Sequence, residues 1–415
     1  MGCACFHHAS GASVLYPAAT ARIVRIGIKN AMHLIVDANI PAADACFGAF
    51  GRVTRVPGRE LRRAHLSDAD ALIVRSVTRV NEALLADTPV RFVGTCTIGT
   101  DHIDRDYLAA HDIGFASAPG CNAEAVADYV LAGLLNQAER EGRPLLERRI
   151  GIVGAGNVGS RVQARLEGLG MDVAVCDPPR AAREGSAGFV SLDALIERCD
   201  VLCLHTPLVR EGEHATRHLL DARRIAALRP GTWVLNAGRG DCLDGDALYR
   251  RLARQDDITA LLDVWEHEPG IDTALHARAA LATPHIAGYS LDGKLRGSLM
   301  IRRALAGQLD SNSTLELDAI CPPPAVAGLT LGQALPVEEA LRLCARALYD
   351  PRRDHGALIR RAAAQGMAQG FDACRANYPQ RREFATLTVR LESKAQTLAA
   401  PLRAAGFRVS VPPGD

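Results

Sequence analysis

Arg149-Ile150-Gly151-Ile152-Val153-Gly154-Ala155-Gly156-Asn157-Val158-Gly159 is the stretch on which the fold turns. A short apolar run, Ile150 to Val153, ends in a G-x-G-x-x-G pattern, and Val162 and Leu166 then continue at helical spacing. Strand, tight turn and helix in that order place each glycine. Gly154 permits the turn, Gly156 lets a pyrophosphate approach the backbone, and Gly159 lets the helix pack on the strand. The helix N-terminus then turns N–H groups toward phosphate. Asp177 follows the next apolar run, Val173 to Cys176, about 20 residues on, where a ribose is expected. Its carboxylate accepts from both ribose hydroxyls and repels a 2′-phosphate, so the expected cofactor is NAD. The plainer alternative is a βαβ turn with a surface aspartate.

Reading outward, further strand runs follow at Val201 to Leu204, Trp233 to Leu235 and Thr259 to Leu262, separated by helical patterns. A doubly wound parallel Rossmann-type sheet is expected over residues 126–286. Upstream, the runs Leu34 to Val36, Ala71 to Val74, Arg91 to Val93 and Gly114 to Ala116 predict a second, flavodoxin-like α/β unit. A helix over Ala123 to Arg140 links the two, and one over Leu295 to Leu309 returns to the first. The substrate domain is therefore expected to be discontinuous, residues 32–125 and 287–312. Cys321-Pro322-Pro323-Pro324 interrupts regular structure. Beyond it, helices at Val337 to Leu348 and Ala357 to Cys374, strands at Phe384 to Leu391 and Phe407 to Val411, and a helix near Ala395 to Ala405 predict a small α+β domain over 313–415.

Composition narrows the function class. In 415 residues, Lys+Arg (48) and Asp+Glu (47) nearly cancel, leaving no basic field for nucleic acid or an anionic membrane. No apolar run is long enough to span a bilayer. Twelve cysteines without a CxxC pair read as reduced thiols of a cytoplasmic protein. No metal site is expected, the Cys3, Cys5, His7, His8 group included. Residues 1–31 contain no Asp or Glu and place their charges after the apolar part, unlike a secretory leader. They are expected to be a disordered extension, or to lie upstream of the true start at Met32.

Oxidation of a hydroxy acid needs a cation for the carboxylate, a base for the hydroxyl proton and a nicotinamide for the hydride. Three segments at the carboxyl ends of predicted strands supply candidates: Asn236-Ala237-Gly238-Arg239-Gly240, Asp263 to Pro269 with Glu268, and Thr283 to Tyr289 with His285. Each has a duller reading, as a surface cation, a loop carboxylate and a capping histidine. Their joint occurrence, in the order Arg, Glu, His after a nucleotide fingerprint, resembles the D-isomer-specific 2-hydroxyacid dehydrogenases over most of residues 32–312.

The resemblance implies that Arg239 binds substrate carboxylate and carbonyl, that His285 is the acid/base and that Glu268 orients it. Closer likeness, to members acting on a phosphorylated polyol acid, lies in Leu34 to Asn39, Arg75 to Thr78, Gly94 to Asp104 and Ala118 to Ala123. It implies substrate contacts from Ser76, Thr97 and Tyr289. The cofactor-lining set it implies, beside the glycines, is Asn157, Val158, Asp177, Thr206, Ala237, Gly238, Asp263 and Gly288. Cys96 departs from the pattern, where a small Ala-like residue is expected. The tail segments Tyr349 to Asp354 and Asn377 to Phe384 imply a homodimer through the C-terminal domain. Arg352 and Arg353 then stand as candidates for a partner's substrate phosphate, against a plain solvated loop. Two other readings stay open: another dehydrogenase of the family, for 3-phosphoglycerate or glyoxylate/hydroxypyruvate, and an NAD-sensing protein that recruits partners.

Overall fold

The computed structural model describes residues 31–412, so the Cys3 to His8 group and most of the expected extension lie outside the described residues. Five strands form the first sheet: β1 (Met32–Asp37), β2 (Gly51–Val56), β3 (Ala71–Val74), β4 (Phe92–Thr95) and β5 (Gly114–Ala116). All pair in parallel, in the order β2-β1-β3-β4-β5, the flavodoxin arrangement. Strand β2 was absent from the sequence expectation. It is an edge strand that begins on glycine and leaves Arg52 and Arg55 exposed, so it lacks the apolar run that marks its buried neighbours.

The 19-residue helix α1 (Ala123–Glu141) crosses to the second sheet and is buried along most of its length. That sheet holds β6 (Ile150–Val153), β7 (Val173–Cys176), β8 (Val201–Leu204), β9 (Trp233–Asn236), β10 (Thr259–Leu262) and the two-residue β11 (Leu281–Ala282). The order β11-β10-β9-β8-β6-β7 reverses direction between β6 and β8. A crevice therefore opens at the carboxyl ends there, where helix α2 (Gly159–Gly168) also begins. Helix α3 (Leu291–Gln308) then returns to the first sheet, burying Leu299, Ile301 and Leu305 with Leu34, Val36 and Ile73.

The C-terminal residues build a third parallel sheet, β12 (Gly328–Leu331), β13 (Thr388–Leu391) and β14 (Arg408–Ser410), in that spatial order. Its helices include α4 (Val337–Leu348), α5 (Pro351–Gln365) and α6 (Met367–Ala376). The single helix expected over Ala357 to Cys374 is broken at Gly366, whose φ of 84° lies in the left-handed region. The strand expected from Phe384 begins only at Thr388, because residues 384–386 form a 3₁₀ turn.

This region does not keep a core of its own. Leu341, Ala345, Phe384, Leu387, Val389 and Leu391 are buried in one cluster with Val130 and Leu134 of α1 and Ile152 of β6. The apolar faces of α4 and β13 are thus covered by the same chain, apart from Leu343 and part of Leu348. The Arg381-Arg382-Glu383 segment, expected at a subunit contact, is also interior. Arg381 donates to the carbonyls of Ala287, at 3.1 Å, and of Ala125, and stacks over the Tyr349 ring at 3.8 Å. Arg382 forks onto Asp292 at 2.9 Å, and Glu383 accepts from Ser290 at 2.8 Å. A buried guanidinium with five donors satisfies several carbonyls at once, which ties this strip to the loop before α3.

Candidate active site

At the carboxyl end of β6, Gly154 has φ 88°, and a Cβ on Gly159 would stand 1.9 Å from the Gly154 carbonyl oxygen. The turn and the close packing thus both require glycine. Gly156 is different: nothing lies within 4 Å of where its Cβ would be, so the loop presents open backbone at the mouth of α2. Asn157 and Val158 follow on the same turn. Asp177 ends β7 with Oδ2 accepting from Ala155 N at 2.8 Å and Oδ1 from Arg180 N at 2.9 Å. Its carboxylate is held directly beside the glycine loop. Thr206 stands against Gly154 from the end of β8, and the Thr206 carbonyl is 3.0 Å from the Cβ position of Gly238. Asn236, which the sequence reading left without a role, shapes the next loop: its side chain accepts from Gly238 N at 3.1 Å and donates to the Arg239 carbonyl at 3.0 Å. An open cradle, a carboxylate one strand away and close-packed glycine turns fit a dinucleotide of the NAD type.

His285 and Glu268 meet. The His285 Nδ1 to Glu268 Oε2 distance is 2.7 Å, and Trp265 N donates to Oε1 at 3.0 Å. Burial alone would raise the Glu268 carboxyl, but His285, Arg375 and the Trp265 N–H together bring it below the ordinary range. An ionised carboxylate only accepts, so Nδ1 carries the hydrogen and Nε2 is left free to exchange a proton. The His285 backbone sits at φ 54°, an uncommon conformation for a non-glycine residue. Asp263 holds that turn in place: it accepts from Thr283 Oγ1 at 2.6 Å and from Ile286 N and Ala287 N, each at 2.9 Å. Its carboxylate is buried beneath the loop, with these bonds spent inside the protein.

Ser76, Thr97, Gly288 and Tyr289 line one cavity, with Arg75, Cys96, Asn122 and Lys294. Thr97 Oγ1 lies 2.8 Å from Thr95 Oγ1, so its hydroxyl is oriented by the first sheet. A Cβ on Gly288 would come 2.2 Å from Asn122 Nδ2, so the catalytic loop packs closely on the Asn122 side chain just before the interdomain helix. Cys96 fits the wall as a small apolar residue, its thiol pushed up by burial. Arg239 approaches from β9 and packs against Gly99, two residues from Thr97; its guanidinium meets the exposed Asp101 carboxylate at 3.3 Å.

Sequence reading passed over one further neighbour. Arg375, on α6, donates from Nε to the Tyr289 hydroxyl at 3.1 Å and stands 3.8 Å from Glu268 Oε2. No local motif surrounds it, and only the packing of the C-terminal region against the catalytic loop brings it there. By contrast, Arg352 and Arg353 are engaged by carboxylates of their own chain, Arg352 by Asp350 at 2.6 Å and Arg353 by Asp354 at 3.4 Å.

Against known proteins, residues 121–287 match the model of the D-isomer specific 2-hydroxyacid dehydrogenase, NAD binding domain, and residues 320–406 match a domain of unknown function. An erythronate-4-phosphate dehydrogenase of Chromohalobacter salexigens is 54% identical over 92% of this chain and 99% of its own. The enzyme of that name from Pseudomonas syringae is 50% identical over 90% and 99%. The chain belongs to the erythronate-4-phosphate dehydrogenase family. Among solved structures, the NAD+-bound 3-phosphoglycerate dehydrogenase of Entamoeba histolytica superposes with TM-score 0.58 at 25% identity, covering 68% of this chain and 95% of that one. Family membership favours the phosphorylated polyol acid over the 3-phosphoglycerate and glyoxylate alternatives.

Proposed function

We propose that this chain oxidises 4-phospho-D-erythronate to 2-oxo-3-hydroxy-4-phosphobutanoate with NAD, a step toward pyridoxal 5′-phosphate. The observation that carries the reading is the His285–Glu268 pair at 2.7 Å beside a cleft lined by small hydroxyls and cations, in a chain 54% identical to an enzyme of that name. NAD, when bound, supplies the acceptor for the hydride that leaves C2. Arg239 turns from the exposed Asp101 to the substrate carboxylate. Nε2 of His285 takes the C2 hydroxyl proton as the carbonyl forms, and Glu268 stabilises the resulting imidazolium. Ser76, Thr97 and Tyr289 orient the polyol, and Asp177 selects NAD over NADP. The glycine loop with Asn157, Val158, Thr206, Ala237, Gly238 and Gly288 lines the cofactor. Asp263 serves mainly by fixing the loop that carries His285.

The functional units are residues 32–125 with 287–312 for substrate, 126–286 for NAD and 313–415 as a C-terminal unit that shares its core with the second. Pairing into a homodimer is part of the reading. Its support is family membership and the exposed Leu343 and Ile359, at 47% and 45%. Analytical ultracentrifugation of the full chain tests it, a monomer at micromolar concentration being the contrary result. A cytoplasmic location agrees with the free state of every cysteine among the described residues and with the lack there of a helix long and apolar enough to cross a membrane. A panel of 2-hydroxy acids, with and without a terminal phosphate, assayed for NADH formation or reduction of bound cofactor, tests the activity. Preference for a substrate other than the four-carbon phosphorylated acid would overturn it.

A further inference from the structure

A phosphorylated acid brings two anionic ends, and Arg239 accounts for only one. The same cavity that holds Ser76, Thr97 and Tyr289 also presents Arg75 and Lys294, which arrive from different elements. Arg75 follows β3 and is braced from behind by the fully buried Asp37, with Nε to Oδ2 at 3.1 Å and Nη2 to Oδ1 at 3.3 Å. Those bonds leave Nη1 free of any hydrogen bond among the described residues. Lys294 lies in the first turn of α3, its ammonium 4.4 Å from the centre of the Tyr289 ring. It forms no ion pair among the described residues. Burial first, and then the positive charges of Arg75 and Arg375, push its pKa down to about 8.

A lysine held among guanidinium groups without a carboxylate is unfavourable in the free protein. Such arrangements collect where a ligand supplies the missing charge. We propose that Arg75 and Lys294, with Arg375 behind Tyr289, form the subsite for the substrate's terminal phosphate. A dianion balances the unpaired ammonium of Lys294, and Arg75, fixed from behind by Asp37, offers it the free Nη1. Arg352 and Arg353 are not among the residues that line this cavity, and are poorer candidates.

The inference rests on the substrate reading given above, and the test separates the two. In the full-length holoenzyme, Lys294→Met keeps the apolar stem and removes the charge, while Lys294→Arg restores it. The quantity to read is the ratio of kcat/KM for 4-phosphoerythronate to that for erythronate. Loss of one charge-assisted hydrogen bond lowers this ratio about 10- to 100-fold in Lys294→Met, through KM for the phosphorylated acid, and Lys294→Arg recovers most of it. Equal losses on both acids would put Lys294 at the reacting end and overturn the subsite, as would a ratio that does not move. A second measurement is independent of turnover: thermal protection of the NAD-loaded protein by inorganic phosphate, expected in the wild type and abolished in Lys294→Met. If the wild type leaves 4-phosphoerythronate unoxidised while phosphate protects it and not the variant, the subsite stands and the substrate reading falls. If the wild type oxidises 4-phosphoerythronate and Lys294→Met is indistinguishable from it, the subsite falls and the substrate reading stands.

Discussion

The second sheet and the C-terminal region both serve the catalytic loop, but through different kinds of contact. Around β6 and β7 the working parts lie close in sequence: Gly154, Gly159 and Asp177 fall within 24 residues, and their roles follow from backbone geometry. The C-terminal strip acts at a distance. Arg381 reaches back 94 residues to the Ala287 carbonyl, Arg382 reaches 90 to Asp292, and Arg375 reaches 86 to Tyr289. Local turns announce themselves in composition, whereas a clamp made of long side chains shows only when the chain has folded.

The largest effects should mark the locally encoded chemistry. His285→Ala removes the proton acceptor whose orientation Glu268 fixes, and hydride transfer in single turnover should slow about 100- to 10,000-fold with NAD affinity retained. Near-normal transfer at neutral pH would remove His285 from the reaction. The clamp should respond in stability first. Arg381→Met removes the donor to the Ala287 carbonyl and the additional one to the Ala125 carbonyl of α1, a loss of about 2–4 kcal/mol in urea unfolding. A change below about 0.5 kcal/mol, the range of a surface substitution, would show that the strip is dispensable.

That contrast also explains what the sequence could disclose. Nine strand runs of the two large sheets are legible largely in place, because buried parallel strands are continuous apolar runs, whereas the two-residue β11 is too short to show. The edge strand β2 escaped for the opposite reason. The His285, Glu268 and Arg239 segments were legible because each follows a strand and repeats a recognisable order. Lys294 and Arg375 carried no such signal: one sits in an ordinary helical turn, the other in a helix whose neighbours are Ala376 and Asn377. The C-terminal apolar pattern is legible in the sequence, but what covers it is not. Periodicity tells that Leu341, Leu387 and Val389 are covered, but not whether the cover is a second subunit or, as here, α1 and β6 of the same chain.

Asp177 sharpens the comparison at an intermediate size. Its two oxygens already hold Ala155 N and Arg180 N, so the carboxylate is preset beside the loop rather than recruited by a ligand. Asp177→Ala should weaken NAD about tenfold and remove the repulsion of a 2′-phosphate, moving the NAD/NADP preference toward NADP. Fluorescence titration with both cofactors measures it, and an unmoved preference would count against this placement.

The most gradual effect belongs to pH, and it comes from a residue that sequence could not flag. Lys294 faces Arg75, Arg375 and the Tyr289 ring, while Asp37 and Glu268 lie behind those arginines on their other partners. Its pKa, pushed down to about 8, means that the free protein loses this charge as pH rises through 8. A bound phosphate favours the ammonium and raises the pKa of the complex, so binding takes up a proton above pH 8. The sign follows: KM for the phosphorylated acid should be flat between about pH 7, where its phosphate is already a dianion, and about pH 7.5, and rise above 8, by up to about tenfold per pH unit, the limit for a single proton. Erythronate, which lacks the phosphate, should show no such rise, and Lys294→Arg, whose guanidinium stays charged, should flatten the curve for the phosphorylated acid. Steady-state KM profiles between pH 6 and 9.5 for both acids decide it. A rise shared by the two acids would assign the titration to the reacting end of the cleft, and a flat profile for the phosphorylated acid would show that the charge on Lys294 does not contribute to its binding.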